Sequence, residues 1–130
     1  MSNFRRLLEE LKKLNLPSDK FAVFGSAPMA VRNIRDVDDL DVIVKQDLWD
    51  ELCKKHKNDG NKVIHIGKID IFRQWEPWFD DINPLIDTAD IIDGIRYVSL
   101  DYLVKWKKMM NREKDRKDLL LVNDFLKKTT

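Results

Sequence analysis

Phe24-Gly25-Ser26, followed by Asp39-Leu40-Asp41-Val42-Ile43-Val44, is the stretch on which the fold of this chain turns. Phe21-Ala22-Val23-Phe24 reads as a short buried strand ending at Gly25, and Pro28 is placed for the first turn of a helix running to about Arg32. Leu40 to Val44 has the composition of a strand at a sheet centre. Asp39 and Asp41, at i and i+2, then share one strand face, and charges beside a buried strand call for cations. Asp70 recurs in a second strand-like run, Ile69-Asp70-Ile71-Phe72. The pattern is a phosphate cradle facing three carboxylates that suit divalent metal, with room for two Mg²⁺ ions. Glycine lets the backbone come close to a phosphate, and the Ser26 hydroxyl and the amides after it can bond phosphate oxygens. Taken alone, a Gly-Ser pair before a helix is more often only a turn and a cap.

Outward from this centre, Phe4, Leu7, Leu8, Leu11 and Leu14 recur at helical spacing, predicting a helix over 3–15 that covers one sheet face. After Val44, Asp47 reads as the cap of a helix with Leu48, Trp49, Leu52, Cys53 and His56 on its apolar-leaning stripe. Val63 to Ile66 and Ile69 to Phe72 flank Gly67-Lys68, a two-residue hairpin that puts Asp70 on a paired strand. Residues 73–90 lack a clean period and predict a loop with a short helix near Leu85 to Ala89. Asp93-Gly94 between Ile91-Ile92 and Ile95 to Val98 is a type I′ hairpin signal. Ser99 caps a helix with Leu100, Leu103, Val104 and Trp106, and a last helix runs from about Arg112 to Lys127. Lys105, Lys108 and Arg112, at i, i+3 and i+7, form a basic stripe that reads equally as facing a polyphosphate or as a solvated face. Asp115 and Asp118 read as partners of Arg112, Lys114 or Lys117 that hold the two helices together.

Composition bounds the function classes. A chain of 130 residues with 24 Lys plus Arg against 23 Asp plus Glu has a formal net charge of +1, which disfavours tight non-specific binding to DNA. No run approaches the roughly twenty apolar residues of a membrane span. The single Cys53 excludes an internal disulfide, and no apolar signal core follows the N-terminus, so a cytoplasmic location is expected. His56 and His65 make no zinc-type cluster, and Cys53 lacks a flanking base, so a hydrolase of the Ser-His-Asp or Cys-His type is unsupported. His65, between Ile64 and Ile66, is expected on a polar sheet face.

Gly25-Ser26, Asp39-x-Asp41 and Asp70 together resemble the signature of the DNA polymerase β-like nucleotidyltransferase superfamily, and within it the small prokaryotic proteins: minimal nucleotidyltransferases and enzymes that modify aminoglycosides or toxin partners. Ser99-Leu100-Asp101-Tyr102-Leu103, Lys105 and Arg112-x-Lys114-Asp115-x-x-Asp118-Leu119 resemble that family's helical tail. The resemblance covers most of the chain. It departs from the commonest minimal form at Ala27 to Arg32, where an arginine-glycine pair is usual, and at Asp38, where a serine is usual.

The resemblance implies an α/β (α+β) nucleotidyltransferase fold over 1–130 as a single domain. Its core at about 18–98 would be a short mixed sheet with helices on one side, and residues from about 99 to 128 a two-helix tail. It implies in-line attack by an acceptor hydroxyl or phosphate on the α-phosphorus of a nucleoside triphosphate, ATP being favoured, with pyrophosphate leaving. Asp39, Asp41 and Asp70 would be the catalytic and metal-binding set for two Mg²⁺ or Mn²⁺ ions, and Asp70 a candidate for the acceptor's proton. Gly25, Ser26, Arg32, Lys105, Lys108 and Arg112 would be the nucleotide contacts, with Arg32 reading equally as a helix-end cation without a ligand. Trp75 to Phe79 would recognise the base or the acceptor, or else be core or an oligomer contact. The acceptor is open: a small molecule, RNA, or a toxin-type partner protein, with a second copy of the chain as another source of acceptor contacts. Two alternatives stand beside this reading, an inactive nucleotide- or partner-binding module such as an antitoxin, and a metal-dependent nuclease.

Overall fold

A computed structural model describes residues 2–129 as a mixed α/β arrangement, one open mixed sheet with six strands and six helices among those residues. The chain runs α1 (Asn3–Lys13), β1 (Phe21–Phe24), α2 (Ala27–Ala30), β2 (Leu40–Val44), α3 (Gln46–Cys53), β3 (Val63–Ile66), β4 (Ile69–Phe72), α4 (Asn83–Asp87), β5 (Asp90–Ile92), β6 (Ile95–Tyr97), α5 (Leu100–Met110) and α6 (Glu113–Thr129). The sheet order is β3-β4-β2-β1-β6-β5. β1 pairs antiparallel with β2 and parallel with β6, while β2 pairs parallel with β4. Two hairpins close the edges, β3-β4 through Gly67-Lys68 and β5-β6 through Asp93-Gly94. Asp93 and Gly94 both have positive φ, 51° and 80°, as a type I′ turn demands.

Period-two alternation in the central strands explains two separate cores. Val23, Leu40, Val42, Val44, Ile69 and Ile71 face Phe4, Leu7 and Leu11 of α1 and Leu48, Trp49 and Leu52 of α3. Ala22, Phe24 and Ile43 point the other way, to Trp75, Phe79, Ile82, the α4 residues Leu85 and Ile86, Leu103 and Trp106 of α5, and Val122 of α6. Helices therefore cover both faces, not one. The 73–90 segment, which has no readable period, supplies much of the second cover through its rings: Trp75 lies 4.8 Å and Phe79 6.3 Å from Phe24, centroid to centroid.

Local outcomes follow from caps and burial. Ser2 and Ser99 accept from Arg5 N and Tyr102 N and start α1 and α5. Asp47 is not a cap: Lys45 holds that position, and Asp47 sits in the first turn of α3, paired with Lys20. α2 is a single turn that ends at Ala30, before Arg32. α4 begins two residues earlier than expected, at Asn83, with Pro84 in its first turn. None of the described helices is long and apolar enough to cross a membrane.

Candidate functional site

Strand register brings the carboxylates to one place. Asp41 pairs by Cα with Phe24 of β1 on one side and Asp70 of β4 on the other, and Asp70 pairs with His65 of β3. The row His65, Asp70, Asp41, Phe24 thus crosses four strands on the face that α5 covers. Asp39 precedes β2 and is exposed, beside Asp38, whose Oδ1 accepts from Asn3 Nδ2 at 3.1 Å.

Gly25 follows Phe24 directly, and its φ of +60° is one that L side chains rarely adopt. A Cβ there would lie 2.4 Å from Asp41 Oδ2, so glycine at 25 is what allows the Asp41 carboxylate to press against the turn. Asp41 carries the strongest electrostatic mark of the site. Burial, and then the charges of Asp39 and Asp70, push its pKa from 3.8 up to about 7, with Lys107 pulling the other way.

Ser26 is the meeting point of a charged network that sequence reasoning missed. Arg35 Nη2 donates to Ser26 Oγ at 2.9 Å, and Lys107 Nζ donates to the same oxygen at 3.1 Å. A hydroxyl has two acceptor lone pairs and one proton, so with both lone pairs engaged the Ser26 proton is left for a ligand oxygen. Asp118 locks both cations: its Oδ1 accepts from Arg35 Nε at 2.7 Å, and its Oδ2 from Arg35 Nη2 at 2.8 Å and Lys107 Nζ at 2.9 Å. Burial pulls Lys107 below the usual lysine range, opposed by the hydrogen bond and charge of Asp118 and the charge of Asp115. Burial would raise Asp118, but its bonds from Arg35 and Lys107 outweigh that and hold it below the usual carboxylate range. Asp115, fully buried, accepts the Arg112 backbone N–H at 3.0 Å, closing the start of α6, and the Arg112 guanidinium at 2.7 and 3.1 Å.

Ser26, Arg35, Lys107, Arg112 and Asp118, though not the enclosed Asp115, line a cavity of about 700 Å³ that also takes in Phe72, Trp75, Trp78, Trp106 and Met110, together with Lys62, Gln74, Glu76 and Lys114. The volume is in the range of small-molecule sites. Gly25, Ser26, Asp39, Asp41 and Arg112 of the sequence-derived set line it. Asp70 stands beside it, its Oδ1 2.6 Å from His65 Nδ1, a contact that raises the His65 pKa first by hydrogen bonding and then by charge.

The remaining basic residues of that set point elsewhere. Arg32 donates to Pro28 O and to Asp90, each at 2.8 Å. Lys105 lies over the Phe79 ring at 6.0 Å, and Lys108 is exposed outside the cavity lining. No single helix carries Lys105, Lys108 and Arg112, because α5 ends at Met110 with Asn111 in the left-handed conformation at φ 51°. Lys107 takes the inward place. Its spacing with Leu103, Trp106 and Met110 was the available signal, a lysine on the apolar stripe. Arg35 lies in the aperiodic link between α2 and β2 and had no such signal. Asp118 pairs with Arg35 and Lys107, not with its helix neighbours.

Among the described residues no group of three or more His, Cys, Asp or Glu side chains is gathered so that it could hold a metal ion, the expected set of Asp39, Asp41 and Asp70 included. Asp39, Asp41 and Asp70 are nevertheless hard oxygen donors, and Asp41, lifted first by burial and then by the charges of Asp39 and Asp70, is a carboxylate whose ionised form a divalent cation would favour. No family model matches the chain, and neither the curated proteins nor the solved structures compared with it give a match.

Proposed function

We propose that the chain is a metal-dependent nucleotidyltransferase, moving a nucleoside monophosphate from a nucleoside triphosphate to a hydroxyl or phosphate acceptor. The observation that carries this reading is the pairing of Asp41 with Asp70 beside Gly25-Ser26, with Arg35 and Lys107 both on the Ser26 hydroxyl in the cavity that Asp41 lines. Asp39, Asp41 and Asp70 would hold Mg²⁺, which would supply charge neutralisation of the phosphoryl group and activation of the incoming oxygen.

The chain's own groups have defined tasks. Ser26 donates its proton to a phosphate oxygen, and Gly25, with no side chain, lets that phosphate approach. Lys107 and Arg35, already oriented by Asp118, stabilise negative charge on the departing pyrophosphate without reorganising in the reaction. Asp70 orients the acceptor and receives its proton, with His65 fixing the carboxylate from the neighbouring strand.

A second reading, nucleotide binding without turnover, is favoured by the engagement of Asp70 Oδ1 with His65 in the resting protein. Incubation with α-phosphate-labelled nucleoside triphosphates, Mg²⁺ and pools of small molecules, RNA and protein separates the two. Label transferred by the wild type and not by Asp70→Asn supports transfer; nucleotide bound with no label transferred from any pool supports the binding module.

A further inference from the structure

The cavity is chemically divided. Its charged half, Ser26, Arg35, Asp39, Asp41, Lys107 and Asp118, answers a polyphosphate; its other half is a wall of Phe72, Trp75, Trp78, Trp106 and Met110. Trp75 and Trp106 are 7% exposed and pack edge to face at 5.2 Å, so they form the fixed floor of that wall. Trp78 and Phe72 are only half buried, each edge-on to that floor, Trp78 to Trp106 at 6.1 Å and Phe72 to Trp75 at 5.1 Å. They keep surface for something else to cover. Both indole N–H groups of the floor are buried without an acceptor. Both are closed off from the cavity, so the wall meets a ligand through ring faces and edges alone.

We infer that this wall is the seat of a purine ring, stacked on Trp78 and bordered by Phe72, so that the nucleotide spans the cavity with its phosphates at Ser26 and Lys107. The inference rests on the transferase reading for the phosphate half and adds the ring-binding half. The junction is Lys107: its Nζ lies 3.1 Å from Ser26 Oγ and 5.1 Å from the Trp106 ring, so the two halves meet at one cation. Aromatic faces stack on any base, and the larger bicyclic ring covers more of the wall than a pyrimidine does. Gln74 and Glu76, also in the lining, offer donor and acceptor atoms to the ring edge.

The test is calorimetric binding, with Mg²⁺, of nonhydrolysable ATP, GTP, CTP and UTP analogues and of inorganic triphosphate to the wild type, Trp78→Ala and Trp78→Phe, each checked for an unchanged melting profile. Expected are tighter binding of purine than pyrimidine analogues, a loss of about tenfold or more for purine analogues in Trp78→Ala, retention in Trp78→Phe, and inorganic triphosphate indifferent to both. Equal purine affinity in wild type and Trp78→Ala overturns the ring seat while leaving the phosphate half standing. Binding of triphosphate alone, with the nucleoside adding nothing, does the same. Absence of all binding overturns the ring seat and the transferase reading together, whereas purine binding that depends on Trp78 without any label transfer keeps the seat and removes the transferase.

Discussion

Asp41 and Asp70 stand opposite one another on adjacent parallel strands, the only carboxylate pair in the β2-β4 register. A one-residue slip of β4 would turn Asp70 to the face of Ile69 and Ile71 and dissolve the arrangement, so the hairpin at Gly67-Lys68 is a determinant of the site as well as of the fold. If Asp70 serves the acceptor and the phosphates are held elsewhere, Asp70→Asn lowers the transfer rate by about a hundredfold or more and leaves nucleotide affinity within a few-fold of the wild type. Single-turnover kinetics beside equilibrium binding checks this, and a variant with a near-normal rate refutes the role.

Gly25→Ala introduces a Cβ that meets the Asp41 carboxylate at a left-handed backbone position. The backbone alone costs roughly 1 kcal/mol or more, and Asp41 must move as well. Denaturant unfolding is expected to show a loss of about 1–3 kcal/mol together with weakened nucleotide binding. An unperturbed variant would mean that Asp41 has space the structure does not give it.

Asp118→Ala leaves Lys107 buried and Arg35 partly buried without the carboxylate that holds them. Removing one member of a buried pair costs about 3 kcal/mol or more. The loss should appear in denaturant midpoints, and Lys114→Ala or Lys117→Ala, on the exposed side, should cost under about 0.5 kcal/mol. Equal effects at all three positions would deny the network its place at the helix junction.

Asp41 makes stability depend on pH in a definite direction. Its folded pKa, about 7, lies above its ordinary 3.8, so the folded state holds a proton that the unfolded state has released. Metal-free protein should therefore lose stability as pH rises from about 4 to about 7, by an amount on the order of a few kcal/mol. His65, also raised, adds stability that is full below its ordinary 6.5 and is lost as pH rises through its folded value. Asp115 and Asp118, held low, act in the opposite sense and only as pH falls below about 4. Asp41→Asn should flatten the decline between pH 4 and 7 and be more stable than the wild type at pH 8. Thermal melts across pH, without metal, decide it; a parallel decline in both proteins contradicts the assignment.

Much of the architecture was readable because its signals are local. Asp93-Gly94 and Gly67-Lys68 announce their hairpins, Ser99 its helix, and Leu40 to Val44 its central place. What stayed hidden depends on tertiary packing. The rings of 73–90 cover a sheet face without any period, and Arg35 reaches Ser26 and Asp118 from a link with no pattern of its own. Lys105, Lys108 and Arg112 form no common stripe because the continuous helix that would align them is broken at Asn111, and Lys107 turns inward instead. A lysine on an apolar stripe, with aspartates on the following helix, marks a buried cation better than a regular basic stripe does.

In the proposed function, the Asp39 and Asp41 carboxylates and the Ser26 turn together hold a nucleoside triphosphate with divalent metal. Calorimetric titration of a nonhydrolysable ATP analogue, with and without Mg²⁺, into the wild type and the Asp39→Asn/Asp41→Asn double variant tests it directly. Binding by the wild type is expected to strengthen at least tenfold with Mg²⁺ and to lose that gain in the double variant. Binding with no dependence on metal, or equal binding by both proteins, would contradict it.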